Sequence, residues 1–348
     1  MPEKSWCRRG LVSRLDLRNI PANNAPVKFN VLMRSIVMSA VLAMGAEHSA
    51  QQPASSAPST KPPVGLTTAE IEIYERAEAL IDWTPRRIES TPLLHKLHRA
   101  EGQGELPTIL KRVGENTVEL FSNFPKISCN EEIYSETNQR NPLVPRAGPY
   151  RSGTINRFRY IIIPEPVGDL PIFEEYRTDG AGRPFESARV PGPWMFTTNF
   201  MGDCIYFSPS DQPHNRFRYF GTQSVQKREC YVVGFAQRPE VARIFAIFQL
   251  ESRPAALLFQ GLAWIDKQSF QIVRIATWLL APRTDIGLNG ENSVVNYFSV
   301  QPAGLDRGLW VPHDVTVAVF FRGAVFQNKH RYSNFRLFRV ESAIKPVE

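Results

Sequence analysis

Between residues 257 and 338 the chain reads as one run of antiparallel strands, and that run constrains the fold more than any other stretch. Residues 257–265, a polar turn at Asp266-Lys267-Gln268-Ser269 and residues 270–279 predict a hairpin. In its second arm Val273, Ile275, Thr277 and Leu279 fall on one face, and Ile272, Arg274, Ala276 and Trp278 on the other. Alternation with β-branched and aromatic residues is the pattern of a half-buried strand. Strands at 293–301, 313–322 and 325–340 extend the hairpin into a meander whose apolar face needs a cover.

The 348 residues are 43% hydrophobic and include 28 prolines, which suits a loop-rich β protein better than a helical bundle. The net charge of +7 looks basic, but residues 1–50 hold seven Lys/Arg against three Asp/Glu and supply more than half of it. The remainder carries no nucleic-acid footprint.

From Met33 a short basic start, an apolar run at 36–44 and the small-residue exit Gly45-Ala46-Glu47-His48-Ser49-Ala50 have the order of a secretory signal. A bilayer span takes roughly 20 residues, more than this run supplies. Translation is expected to start at Met33, so residues 1–50 divide into a leader outside the natural product and a signal peptide. The competing reading is a cytoplasmic tail before a membrane anchor. No cysteine follows the apolar run, so no lipid anchor is expected, nor a stable membrane span once the signal is removed. Residues 51–65, rich in Gln, Pro, Ser and Ala, read as a disordered linker.

Thr67-Thr68-Ala69-Glu70 caps a helix with Ile71, Tyr74, Ala77, Leu80 and Ile81 on one stripe, which Pro85 should end. A second helix is expected at 107–121, with Pro107 at its start. His95 and His98 are three apart but lack a third ligand, so no metal or cofactor site is read here. Strands follow at 127–137, 155–164, 172–178, 204–207, 216–223, 229–237 and 245–251. The long loop 183–201 suits a lid or binding loop. In Arg216-Phe217-Arg218-Tyr219-Phe220 the basic and aromatic residues take opposite faces, as on any strand with one wet side. Residues 66–125 are thus a helical cover and 126–348 an antiparallel sheet, forming one unit.

No nucleophile elbow, H-E-x-x-H, phosphate loop or C-x-x-C occurs, and the sequence supports no catalysis. His313 and Asp314 are neighbours on a strand and are expected to point to opposite faces. Cys7 leaves with the leader, so Cys129, Cys204 and Cys230 remain. Export permits a Cys204–Cys230 disulfide, since those residues fall on strands one short strand apart; three buried thiols are the rival reading.

The runs Gly-Leu-Ala-Trp-Ile-Asp at 261–266, Ile-Val-Arg-Ile at 272–275, Leu-Trp-Val-Pro-His at 309–313 and His-Arg-Tyr-Ser-Asn-Phe-Arg-Leu-Phe at 330–338 resemble a group of uncharacterised exported bacterial proteins. More distantly, the W-I-D, turn, I-V-R-I hairpin resembles that of the LolA/LolB-type lipoprotein carriers. That resemblance implies an incomplete antiparallel barrel, covered by helices, around an apolar cavity; it transfers no site residue.

The expected fold is therefore α+β: a large curved antiparallel sheet, a half-barrel, covered by amino-terminal helices. Trp264, Trp278, Phe298, Phe320 and Phe335 are expected to line an apolar cavity between the second helix and the sheet, holding a lipid or lipoprotein acyl chain in a periplasmic or secreted protein. The alternative is a protein–protein module of an envelope assembly, using the sheet edge or the loop 183–201. Amino-terminal sequencing of protein from its native host should find a start near Glu47 or Gln51; an intact Met1 would contradict the export reading.

Overall fold

The computed structural model describes residues 65–139, 150–167, 170–184, 202–249 and 254–338. The leader, the signal and almost all of the linker lie outside the described residues, as does most of the loop 183–201.

The described helices are α1 (Thr68–Glu75), α2 (Pro85–Ser90) and α3 (Leu106–Ser122), with short 3-10 turns between and after them. The strands are β1 (His98–Arg99), β2 (Ile127–Gln139), β3 (Tyr150–Val167), β4 (Leu170–Thr178), β5 (Asn215–Val225), β6 (Arg228–Gln237), β7 (Ala246–Gln249), β8 (Pro254–Leu257), β9 (Phe259–Asp266), β10 (Ile272–Leu279), β11 (Leu288–Val300), β12 (Leu309–Phe321) and β13 (Ala324–Leu337). Eleven of them form one sheet in the order β1-β5-β6-β9-β10-β11-β12-β13-β2-β3-β4, while β7 and β8 pair separately. Every neighbouring pair in the large sheet is antiparallel.

That sheet is strongly curved. Laid flat, β10 and β4 would be six strand spacings apart, about 29 Å. Yet α3 reaches from one to the other: Arg112 stacks on Phe270 just before β10, and Phe121 meets Phe173 of the edge strand β4. Nine helical residues span only about 14 Å. The sheet must therefore curl around α3, and the side that α3 touches is concave.

The amino-terminal helices do not share one cover. Ile109 and Val113 of α3 join the concave cluster, whereas Tyr74, Leu80, Ile81, Trp83 and Ile88 pack on the opposite, outer face. All eight residues of β9 are consequently buried, not the half expected. Nor does one helix run to Pro85. A Thr67–Glu70 capping box starts α1, which stops at Glu75; Thr84 caps a new helix with Pro85 in its first turn, where a missing N–H costs nothing. Residues 204–207, expected as a strand, form the 3-10 helix Gly202–Phe207, because Cys204, Tyr206 and Phe207 all join the concave cluster. A register shift in β10 puts Ile272 on the concave side with Ile275 and Leu279, and Val273 on the outer side with Ala276 and Trp278. The alternation read from the sequence is reversed at that bulge alone.

Tight contacts seat the outer segment. Leu80 N–H donates to Gln260 Oε1 at 2.6 Å, and Trp83 stacks on Trp278 with centroids 6.0 Å apart. Gly234 lies beneath Leu80 and Phe220, where a Cβ would collide with both. Arg216 forks onto Asp82, and Arg218 donates to the carbonyls of Ile81 and Trp83. Those arginines bind the chain's own amino-terminal segment.

Arg283, fully buried, ties α1 to the sheet: its guanidinium meets Glu70 at 2.9 Å, both oxygens of Asp285 at 2.9 Å and the Ala256 carbonyl at 2.8 Å. Removing one partner of a buried pair costs about 3–5 kcal/mol, because the other charge is left without compensation. Arg283→Leu should therefore lose about 3 kcal/mol in urea unfolding, and adding Glu70→Gln should restore part of it. Equal stability of Arg283→Leu and the parent would show that the contact is dispensable.

Candidate functional site: the concave face

Cross-strand partners share a face, so the register maps the concave surface directly. One row runs Thr277, Ser293, Val317, Asn328, Ser135, Thr154 across β10, β11, β12, β13, β2 and β3. The next runs Ile275, Val295, Val315, His330, Ile133, Asn156. Between its ends the concavity is therefore a mixture, with valine and isoleucine beside amides, hydroxyls and an imidazole.

At the β2–β4 side, Glu131 is fully buried. Arg177 grips both its oxygens at 2.6 and 2.9 Å, His330 Nδ1 lies at 2.9 Å and the Tyr332 hydroxyl donates at 3.0 Å. Burial alone would raise the Glu131 pKa; the Arg177 charge and the bonds from His330 and Arg177 outweigh it and hold the carboxyl at about 2. Burial also depresses the pKa of His330, against the pull of Glu131. The Arg177 guanidinium stacks on Tyr160 at 4.7 Å.

On the other flank two carboxyls approach each other, and no cation among the described residues pairs with either. Asp203, from the 3-10 helix Gly202–Phe207, accepts a 3.3 Å bond from Ser293, whose hydroxyl lies 2.7 Å from that of Thr277. Glu291 lies two residues before Ser293 on the same face and is 6% exposed. Desolvation pushes Asp203 up to about 7, and desolvation with the nearby Asp203 charge does the same to Glu291. Both carboxyls titrate near neutral pH. No sequence motif marks this pair, because the six strands β5 to β10 separate its members in the chain.

The five aromatics expected to line a cavity do not meet. Trp264 is buried on the outer face and donates to Gln223 at 2.8 Å, and Trp278 lies there too, against Trp83. Phe320 alternates with Val319 and Phe321 of the concave cluster and so faces outward. Phe298 is 37% exposed, with its ring 4.8 Å from that of His313. Phe335 alone lies at the concave rim, beside a void of about 10 Å³ shared with Cys129, Tyr160 and Tyr332, space for one water at most. Period two tells which residues share a face, but not which face is concave. The space beneath α3 is filled by Ile109 and Val113. A cleft of about 520 Å³ does occur, but at β2, β3 and the turn after β4 rather than beneath α3, with Phe158 and two glycines beside Glu132, Arg157, Arg159 and Asp179.

Cys129, Cys204 and Cys230 are buried free thiols. Cys204 belongs to the concave cluster and Cys230 to the outer one, so the sheet itself separates the expected disulfide partners. His313 and Asp314, expected on opposite faces, are 3.4 Å apart, since the register slips between Asn296 and Tyr297 on the facing strand. Among the described residues no three His, Cys, Asp or Glu could hold a metal, and no helix is long and apolar enough to cross a membrane.

The chain is thus an α+β protein built on an open antiparallel half-barrel, with its candidate site on the concave face. Its fold is similar to that of a LolA superfamily protein from Nitrosomonas europaea, at 14% identity and a TM-score of 0.30 over 67% of this chain and 94% of that one. A DUF1329 family protein from Desulfovibrio piger gives 12% identity and a TM-score of 0.33 over 67% and 95%. A domain from Vibrio parahaemolyticus named for outer membrane lipoprotein sorting gives 12% and 0.34 over 66% and 91%. No family model matches the chain, and no curated protein does.

The Glu291 carboxyl sets a pH dependence. Its folded pKa of about 7 stands above the ordinary value of 4.5, so its contribution to stability is complete below about 4.5 and lost as pH rises through 7. Glu291→Gln removes that loss. The variant should match the parent near pH 4.5 and exceed it at pH 8 by up to about 3 kcal/mol. Thermal unfolding between those pH values reads the difference, and identical slopes would contradict it.

Proposed function

We propose that this is an exported, non-catalytic binding protein of the cell envelope whose half-barrel takes up an acyl chain or other apolar ligand. The observation that supports this reading is the apolar patch inside an open sheet: Val295, Val315, Val317, Val319 and Phe326 adjoin on the concave face and are buried, with Ile133 beyond His330 on the same face. The site differs from the one expected beneath α3. It lies further along the concave face, between α3 at one end and the β7–β8 pair, which meets the sheet through Phe248 and Phe321, at the other. Export rests on the signal-like order of residues 33–50, and the periplasm or the exterior is the corresponding compartment.

A second reading, a protein–protein module, draws on the opposite surface. Ile155 and Tyr176, 54% and 46% exposed, stand on the outer face of β3 and β4 at the sheet's margin.

Each buried methylene contributes about 0.8 kcal/mol, so roughly ten enclosed carbons give micromolar affinity after the cost of association. Titration with an environment-sensitive acyl probe should show saturable binding that unlabelled lipid displaces. A signal that rises linearly without saturation would overturn the carrier reading.

A further inference from the structure

Three polar atoms in the middle of the concave face are buried and have no hydrogen-bond partner: Asn328 Nδ2, Ser135 Oγ and Asn156 Nδ2. They are close together. Asn328 and Ser135 are cross-strand partners on β13 and β2, and Asn156 lies on β3 opposite Ile133, one step along the same face. Directly paired side chains lie about 5 Å apart and diagonal ones about 7–8 Å. Asn328 and Ser135 are 2% and 6% exposed. A buried donor left unmade costs about 1–3 kcal/mol, and three at one place mark a site that something else must complete.

We propose that this trio is a subsite for the hydrogen-bond acceptors of the ligand's head group, and that it selects an uncharged acyl ester or amide over a free fatty acid. The inference rests on the acyl-binding reading above and adds the chemistry of the head. Two amide N–H groups and a hydroxyl all donate, so the complementary group offers oxygens. The charges facing the row decide between a carbonyl and a carboxylate. Glu291 and Asp203 lie on the β11 side, with the Asp203 partner Ser293 two strands, about 10 Å, from Asn328. Glu131 lies on the β2 side, and the Arg177 cation there is held on both oxygens of Glu131. His330, next to Asn328 on the same face of β13, is kept neutral by burial. Among the described residues, an anionic head would bring a further negative charge beside three carboxyl groups, with the Arg177 cation already engaged by Glu131. A carbonyl meets the same donors without that repulsion.

The test compares displacement of a fluorescent acyl probe from the full chain by methyl laurate, lauric acid and dodecane at pH 7.5, for the parent and for Asn328→Leu. Methyl laurate should displace the probe at least tenfold better than lauric acid. Asn328→Leu should weaken methyl laurate about tenfold and leave dodecane unchanged. The same substitution should leave the melting temperature of the ligand-free protein equal or higher, because it removes a donor that has no partner. Ser135→Ala, smaller and less disruptive, should act in the same direction and stands in if the leucine variant does not fold. Equal displacement by ester and acid, or a lower melting temperature with unchanged ester affinity, would overturn the head-group subsite and leave the acyl reading standing. If none of the three ligands displaces the probe, both readings fall.

Discussion

Leu262 and Trp264 project from one side of β9, Ala263 and Ile265 from the other, and all four are fully buried. A strand at the middle of a sheet is stable in that state only when each face has its own cover. The outer cover is the segment from α1 to the 3-10 turn Pro92–Leu94, fixed at Arg283, Gln260 and Gly234; the inner cover is α3 with the 3-10 helix Gly202–Phe207. The outer cover reaches only β5, β6, β9 and β10, whereas the outer side of β3 and β4 keeps Ile155 and Tyr176 exposed. The curvature of the sheet follows from the short reach of α3 between Phe270 and Phe173.

The concave face combines groups with opposite acid–base behaviour. Glu131, held at about 2 by Arg177 and His330, contributes stability above the ordinary carboxyl value of 4.5, and that stability is lost as pH falls toward 2. Asp203 and Glu291, pushed up to about 7 by burial, lose theirs as pH rises through neutrality. Depressed in the fold, the pKa of His330 adds to the loss on the acid side. The fold is therefore most favoured between these limits. On its alkaline side the pair Asp203–Glu291 introduces negative charge into the same concavity that holds the unpaired donors.

Much of the architecture was legible in the sequence. Alternation located the strands of the meander, and the capping box at Thr67–Glu70 located the start of α1. Period two could not show that β9 would be covered on both sides, because an alternating strand and a doubly buried one differ only in what packs on the polar positions; here Gln260 is satisfied by Leu80 N–H and stays inside. Nor could it tell the concave aromatics from the outer ones: Trp264 and Trp278 pack on the outer side, although nothing in their alternation separates them from a concave pair. The Cys204–Cys230 pairing failed because 204–207 is a 3-10 turn beneath the sheet rather than a strand within it. The polar trio left little local signal: Ser135, Asn156 and Asn328 come together only through the β13–β2–β3 register. Its one trace in the sequence is the polar run from Asn328 to Asn334 inside a strand, which reads as a wet face until the partner strands are known.

A crystal structure of the protein isolated from its own host would show whether the concavity holds a ligand, because three named atoms report on it. The account predicts non-protein density with an oxygen about 3 Å from Asn328 Nδ2, Ser135 Oγ or Asn156 Nδ2, continuous with an apolar tail along Val315, Val317 and Val319. Those same atoms bonded to the chain itself, with the concavity closed by its own side chains, would contradict it.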